Sequence, residues 1–262
     1  YEIAQCLVGS EMCIRDSWRE ILSDSVVEYM DRQKKSGNLE EEYHSLGEKQ
    51  IGLVLQEEEG FPRKLLEIPD PPYGLFYKGK LPEQKQPSVA VIGARECSEY
   101  GRFVAEELGR YLGSQGIQVI SGMARGIDGI SQQAALLAGG TSYGVLGCGV
   151  DICYPRQNRK LYEELIQKGG LLSTYAPGTK ALPAYFPPRN RIVSGLADAL
   201  IVIEARQKSG TLITVDMALE QGKDVYVVPG RITDRLSDGC NRLLTQGAGA
   251  VSYTHLRAHE TL

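Results

Sequence analysis

The sequence lacks a long hydrophobic run and any closely spaced pair of cysteines. No stretch approaches the ~20 consecutive apolar residues of a membrane-spanning helix, so we expect no association with a membrane. The six cysteines form no C-x-x-C pair, and a chain of 262 residues needs no disulfide framework. The first residues show no basic region followed by an apolar segment, and thus no secretory signal. These absences predict a cytoplasmic protein.

Signatures of several enzyme classes are missing as well. The sequence contains no G-x-x-x-x-G-K-[ST], which excludes a P-loop NTPase. No histidine lies between residues 88 and 250 to activate a serine, and no close pair of carboxylates stands apart from cations. Glu204, at the end of a predicted strand, is the only acid with a catalytic appearance, and we interpret it as the partner of an arginine. The sequence therefore predicts a binding protein with no catalytic residue, not an enzyme.

The charge is slightly negative overall and unevenly distributed. The formal net charge is −4 at pH 7. Residues 18–59 hold 11 acidic and 5 basic side chains, a balance of −6, whereas residues 150–195 hold 7 basic and 3 acidic side chains, a balance of +4. Because a ligand responds to the nearby field more than to the total charge, we expect an anion to bind at the second region.

The two ends of the sequence fit poorly with the rest. The stretches CLVGSEMCIRDS and VSYTHLRAHETL lack periodicity and resemble peptides encoded by sequencing adapters, so we expect residues 1–17 and 252–262 to be non-native. His255 and His259 have the i, i+4 spacing of a zinc site. Two histidines in such a tail are weak evidence, and we predict no metal site.

The remaining sequence divides into three parts. Residues 18–57 form the first part, in which residues 18–36 show the period of an amphipathic helix and KKSGNLEEE then breaks it. Residues 58–87 are rich in proline and glycine, and should form an extended, irregular segment. From 88 to 251, apolar strands such as SVAVIG and ALIVIEA alternate with helical stretches. This alternation is typical of an α/β, doubly wound, mostly parallel sheet with helices on both faces, here preceded by a short helical and extended segment.

Glycines and arginines concentrate where the predicted strands end. In a parallel sheet, ligands bind beyond the carboxyl ends of the strands, where the N-termini of the following helices attract phosphate. SGMARGID opens one such helix, YPRQNR and PPRNR lead into two others, and SGT opens a fourth. From these patterns we predict a phosphate-binding site formed by Arg95, Ser121, Gly122, Arg125, Gly126, Asp128, Arg156, Asn158, Arg159, Arg189, Asn190, Arg191, Ser209, Gly210 and Thr211.

Aromatic residues lie among these cations. Tyr154, Tyr185 and Phe186 neighbour the arginine-rich stretches, and this mixture suits a flexible polyanion with unstacked bases better than a compact cofactor. We therefore expect single-stranded nucleic acid to bind well ahead of duplex. Lys160, by contrast, is expected on the solvated face of a helix.

The motifs, in order, resemble those of the DprA/Smf family of DNA-processing proteins. The resemblance spans about residues 58–250 and rests on EGFPRKLLEIPDPPYGLFYKG, VIGAREC, SGMARGID, GCGVDICYP, PPRNRIVSGLADALIVIEA, SGTLIT, DVYVVPG and LSDGCNRLL. It implies a Rossmann-like core that binds single-stranded DNA without a cofactor, forms a homodimer, and hands the protected strand to the recombinase RecA during natural transformation of competent cells. Arg95, the SGMARG turn, and Arg156 with its neighbours in YPRQN would contact the DNA.

The sequence departs from the family pattern at two places. Ser131 and Gln132 stand where the family usually has Ala-His, so any role of that histidine is lost. The family's N-terminal helical domain and C-terminal winged-helix-like domain are curtailed, which makes residues 18–57 a remnant of the first. Two alternatives stay open, a phosphoribohydrolase-like enzyme of the related nucleotide-binding fold and a sensor of a small nucleotide. The enzyme needs P-G-G-x-G-T-x-x-E, but Pro-Gly-Gly is absent and Thr214 occupies the position of the glutamate.

Overall fold

The computed structural model describes residues 39–251, which belong to two units. The first unit ends at Gln50, and its described residues form helix α1, Leu39–Glu48. The second unit begins at Ile51 and contains the sheet. The predicted non-native ends, the amphipathic helix near the start and the two tail histidines lie outside the described residues.

The second unit is built on a nine-stranded sheet. Its strands are β1 (Gly52–Leu55), β2 (Gly74–Gly79), β3 (Ser88–Ile92), β4 (Gln118–Ser121), β5 (Ser142–Val145), β6 (Gly170–Ser173), β7 (Ala199–Val202), β8 (Asp224–Val227) and β9 (Gly249–Ala250). Across the sheet the order is β1-β2-β6-β5-β4-β3-β7-β8-β9. β2 is antiparallel to β1 and β6, and all other neighbours are parallel. This mostly parallel α/β sheet confirms the predicted fold class.

Helices follow most of the parallel strands. They are α2 (Glu99–Ser114), α3 (Ile127–Leu137), α4 (Arg159–Lys168), α5 (Phe186–Gly195), α6 (Gly210–Glu220) and α7 (Asp238–Thr245). The start of α2 shows how the local sequence sets a boundary, because the Ser98 hydroxyl accepts a hydrogen bond from the Gly101 N–H at 3.0 Å. After α2 the chain reverses at Gly116, whose φ of +70° favours glycine.

The central strands are buried on both faces. Successive side chains of a strand point to opposite faces of the sheet. On β3, Ala90 and Ile92 join the core cluster that includes Val193 of α5 and Val215 of α6, whereas Val91 joins the cluster beneath α2 and α3. This two-sided burial explains why the strands are continuously apolar rather than alternating.

The proline- and glycine-rich segment 58–87 is more ordered than its composition indicates. The structure places β2 within it and pairs that strand with β6 at the edge of the parallel sheet. Phe61, Leu65 and Leu75 are buried in the larger core cluster, which gives the segment its apolar anchors. The predicted boundaries of the parts of the chain remain predictions.

The order of the strands reverses at β3. From there the chain builds β4, β5 and β6 on one side, and β7, β8 and β9 on the other. Loops that leave β3 and β7 therefore diverge, and open a crevice at the carboxyl ends of these strands, the usual ligand position in such sheets.

Candidate functional site

A cleft of about 640 Å³ occupies this crevice. Its walls come from the ends of β3, β4 and β7 and from the starts of α3, α5 and α6. The cleft brings together nine of the predicted site residues: Arg95, Gly122, Arg125, Asp128, Arg189, Asn190, Ser209, Gly210 and Thr211. The other six, Ser121, Gly126, Arg156, Asn158, Arg159 and Arg191, do not line it, and their surroundings are described below.

The SGMARGID turn shapes one wall of the cleft by a close backbone approach. Gly126 has φ of +73°, and a Cβ there would lie 2.2 Å from the Ala94 carbonyl oxygen. The Ile127 N–H donates to the same carbonyl at 3.2 Å, which fixes this turn against the loop that carries Arg95. Arg95 and Arg125 are both exposed on this paired loop. Ser121 is instead a core residue, since its buried hydroxyl donates to the Val91 carbonyl at 2.6 Å.

A buried arginine and a buried carboxylate form the floor of the cleft. Arg189 is 6% exposed, and its Nη1 donates to the Gly122 carbonyl at 2.8 Å and to the Val145 carbonyl. Asp128 accepts a hydrogen bond from the Gly122 N–H at 3.1 Å. Arg189 thereby ties α5 to the ends of β4 and β5. Its Nε has no hydrogen-bond partner among the described residues.

Burial shifts the protonation equilibria of this pair. It lowers the pKa of the Arg189 guanidinium to about 10, with Asp128 acting in the opposite direction. Burial raises the pKa of the Asp128 carboxyl, while Arg189 and the hydrogen bond from the Gly122 N–H oppose that change. Because a pKa near 10 still leaves the guanidinium protonated at neutral pH, a positive charge lies beneath the cleft floor.

Phe186 is the centre of an aromatic and cationic cluster. The guanidinium carbons of Arg95 and Arg189 each lie 5.7 Å from the centre of its ring. The Tyr154 ring lies 5.6 Å from the Phe186 ring, at an interplanar angle of 35°. Tyr154 and Phe186 line the cleft, whereas Tyr185 stacks on Tyr175 at 4.4 Å. The lining of the cleft therefore combines cations with aromatic side chains.

The segment around Arg156 lies beside the cleft rather than in it. Arg156 is exposed in a 3-10 turn, Arg156–Asn158, and Asn158 donates to the carbonyls of Met123 and Ala124, each at 3.0 Å. These two hydrogen bonds hold the turn against the SGMARGID loop. Arg159 is exposed and pairs with Glu163 at 2.8 Å.

Arg191 faces away from the cleft. Its guanidinium pairs with the Asp70 carboxylate at 3.5 Å and also donates to the Asp70 carbonyl. Its neighbour by two positions, Arg189, points into the cleft floor, so the sequence motif PPRNR splits its two arginines between different surroundings.

The start of α6 forms the opposite wall. The Thr211 hydroxyl donates to the Gly93 carbonyl at 3.3 Å, which joins this helix to the end of β3. The Ser209 hydroxyl oxygen is buried, and it has no hydrogen-bond partner among the described residues. The first N–H groups of the helix also lack intrahelical acceptors, so this wall offers donors and a positive dipole end to an anion.

Two further polar residues, Glu204 and Gln132, are buried, and the role of Glu204 differs from the sequence interpretation. Glu204 is buried, and its carboxylate accepts hydrogen bonds from the Ser98 N–H at 2.9 Å and from the Ser98 hydroxyl. Its interpretation as an arginine partner is wrong, because it lies against the start of α2 instead. Gln132 is also buried and accepts from the Met123 N–H at 3.1 Å while donating to the Tyr143 carbonyl at 3.0 Å. The amide thus bridges β4 and β5.

Arg206 lines the cleft although the sequence analysis did not select it. It is exposed and follows the end of β7, much as Arg95 follows the end of β3. This shared position after neighbouring strands is the signal that identifies it.

The described part of the chain contains neither a cluster of metal-binding side chains nor a membrane-spanning helix. Within residues 39–251, no three histidine, cysteine, aspartate or glutamate side chains lie together as a metal site would require. Within the same residues, no helix is long and apolar enough to cross a membrane.

Comparison with known proteins gives a consistent set of relatives. Residues 52–259 match the family described as DNA recombination-mediator protein A. The DNA processing protein DprA of Streptococcus pneumoniae is 44% identical over 192 residues, which are 73% of this chain and 68% of the relative. DprA of Bacillus subtilis is 40% identical over 73% of this chain and 65% of its own length. Protein Smf of Escherichia coli is 39% identical over 75% of this chain and 53% of its own length. The chain thus spans about half to two thirds of the length of these relatives.

Solved structures agree with the sequence matches. The X-ray structure of DprA from S. pneumoniae has a TM-score of 0.83 at 37% identity, covering 92% of this chain and 83% of that one. A structure of DNA processing protein A from Helicobacter pylori, described as showing its single-stranded DNA binding mode, has a TM-score of 0.72 at 30% identity. That match covers 80% of this chain and 95% of the other.

Proposed function

Because this chain belongs to the DprA/Smf family, described as DNA recombination-mediator protein A, we propose that it binds single-stranded DNA in the cleft. The observation that carries the proposal is the cluster around Phe186, where Arg95 and Arg189 approach one ring at 5.7 Å beside Tyr154. A base stacks on an aromatic face only after it leaves a duplex, and cations attract the phosphates on either side of it. The H. pylori relative described as binding single-stranded DNA supports this choice of ligand.

The exposed cations of the cleft suit a polyanion. Arg95, Arg125 and Arg206 lie at its rim, and the α6 N-terminus adds donors at the opposite wall. Each phosphate contact releases counterions, so affinity should fall with salt in proportion to the number of contacts. The residues predicted from sequence that lie beside the cleft, Arg156 and Arg159, extend this positive rim past the SGMARGID loop.

We propose that the protein acts by binding rather than by catalysis, and that it needs no cofactor. The position of Glu204 supports this, because its carboxylate is occupied by Ser98 and does not line the cleft. Asp128, which does line it, is buried and bonded to Gly122. We further propose, from the family resemblance, that the protein forms a homodimer in the cytoplasm, protects incoming DNA, and loads RecA during natural transformation.

A binding titration tests the proposal. A labelled single strand and a duplex of the same length are titrated with the protein at two salt concentrations, and anisotropy is recorded. Binding of the single strand well ahead of the duplex, with affinity that falls as salt rises, supports the proposal. Equal affinity for the single strand and the duplex would contradict the proposal. Displacement of the strand by nucleoside monophosphates at micromolar concentrations would instead favour the nucleotide-binding alternative.

A further inference from the structure

A second groove lies behind the loop that forms one wall of the cleft. Its volume is about 430 Å³, and α2, α3 and the start of α4 enclose it. The loop borders both spaces, because Arg125 lines the cleft while the adjacent Gly126 lines the groove. Asn158, another groove residue, is bonded to the carbonyl of the cleft residue Ala124. The groove therefore lies next to the point where a strand would leave the cleft past Arg125.

The groove is rimmed by positive charge. Arg102, Arg110 and Lys160 line it together with one carboxylate, Glu106, and Arg110 is paired with Glu107. Arg102 is exposed in the first turns of α2 and has no ion pair within 4 Å among the described residues. Lys160 is 85% exposed, as expected from the sequence, and its Nζ is 3.8 Å from Glu164. Such an exposed pair is weak, so this ammonium group remains available to a phosphate.

The floor of the groove is apolar. Ile130, Ala134 and Leu137 occupy one face of α3 at the i, i+4, i+7 spacing, and Leu137 is 72% exposed. The floor runs about 10 Å along the helix, at 1.5 Å per residue. An apolar floor between cationic rims can contact sugars and bases while the rims contact phosphates.

We propose that this groove holds the continuation of the DNA strand that occupies the cleft. The inference rests on the proposed function, and it assigns a second set of phosphate contacts to Arg102 and Lys160. The groove adjoins the cleft across the SGMARGID loop, and this adjacency favours the same DNA strand over an acidic peptide as the occupant. The groove then lengthens the segment of DNA that the protein binds. It increases the binding affinity only of oligonucleotides that are long enough to extend out of the cleft.

The test compares two strand lengths on the full chain. Poly-dT oligonucleotides of about 6 and about 20 nucleotides bracket the site sizes common for single-strand binding. They are titrated against the wild type, the double variant Arg102→Ala/Lys160→Ala, and Arg63→Ala as the control. Arg63 is also exposed, but it lies in a turn before β2, outside both the cleft and the groove. Circular dichroism melting verifies that each variant is folded.

The expected result is specific to length. The double variant should bind the long strand about three- to ten-fold more weakly, and its log–log salt slope should be smaller by about 1.4 for two lost contacts. Binding of the short strand should be unchanged, and Arg63→Ala should match the wild type throughout. Unchanged binding of the long strand would overturn the inference, as would an equal loss for both lengths. If the wild type binds neither strand, the proposed function itself fails.

Discussion

Replacement of Arg189 by alanine should destabilise the fold far more than loss of an exposed arginine. The guanidinium is 6% exposed and donates to the carbonyls of Gly122 and Val145, and it offsets the buried charge of Asp128. A buried acceptor left without its donor costs about 1–3 kcal/mol, so the loss of the donor to two buried carbonyls costs about 2–6 kcal/mol. We therefore expect Arg189→Ala to lower the free energy of unfolding by this amount.

The matched control is Arg206→Ala, which removes an exposed arginine from the same cleft. It should change the free energy of unfolding by no more than about 0.5 kcal/mol. Urea denaturation followed by circular dichroism measures both values. A loss below about 1 kcal/mol for Arg189→Ala would refute the reasoning, because the guanidinium would then contribute little to stabilising the two buried carbonyls and the buried carboxylate.

The pH dependence of the same variant provides a second readout. Burial raises the pKa of Asp128 in the folded protein, and Arg189 opposes that rise. Without Arg189 the folded state should hold a proton on Asp128 to higher pH than the unfolded state does. A raised folded pKa gives stability that is present below the unfolded pKa and is lost as pH rises through the folded pKa. The stability deficit of Arg189→Ala should therefore shrink as the pH falls from neutral toward the ordinary range of a carboxyl, and a constant deficit would contradict this account.

Three other outcomes follow from the described geometry. Gly126→Ala should lose at least about 2 kcal/mol of stability, because φ is +73° and the new Cβ would clash with the Ala94 carbonyl oxygen. The control Gly116→Ala has φ of +70° but open space around the new Cβ, and it should lose less. Urea denaturation compares the two variants, and equal losses would refute the clash. Arg156→Glu should weaken binding of a short single strand more than Arg156→Ala does, because the new carboxylate repels the phosphates. Lys160→Ala should leave short-strand binding unchanged. Anisotropy titrations measure all three variants, and a loss for Lys160→Ala alone would contradict the placement of Arg156 near the short strand and of Lys160 away from it. Incubation of the protein with AMP should release no adenine that chromatography can detect. Release of adenine by the wild type that is abolished in Glu204→Gln would establish the enzyme alternative.

The sheet was predictable because its strands are buried on both faces. Continuous apolar runs such as SVAVIG and ALIVIEA arise from that burial, and their alternation with helices fixes a parallel arrangement. The crevice then follows from the strand order, which places Arg95 and the SGMARGID turn at one edge. β2 was missed, because it lies among prolines and glycines, and its pairing with β6 is a tertiary contact.

The candidate site was only partly predictable, for a geometric reason. The sequence treats Arg189 and Arg191 alike, but two residues on a helix are separated by about 200° of rotation. One arginine therefore enters the cleft floor, whereas the other reaches Asp70. Glu204 was misinterpreted because its partner, Ser98, lies more than a hundred residues away and joins it only through the neighbouring positions of β3 and β7.

The salt dependence of short-strand binding tests the central claim, that the cleft is the DNA site. Anisotropy titrations over a salt series give the slope of log affinity against log salt for the wild type, Arg95→Ala and the control Arg63→Ala. If Arg95 contacts a phosphate, Arg95→Ala should bind more weakly with any base sequence, and its slope should be smaller by about 0.7. Arg63→Ala should match the wild type. Unchanged affinity and slope in a folded Arg95→Ala protein, and likewise in Arg156→Ala, would show that DNA binds elsewhere.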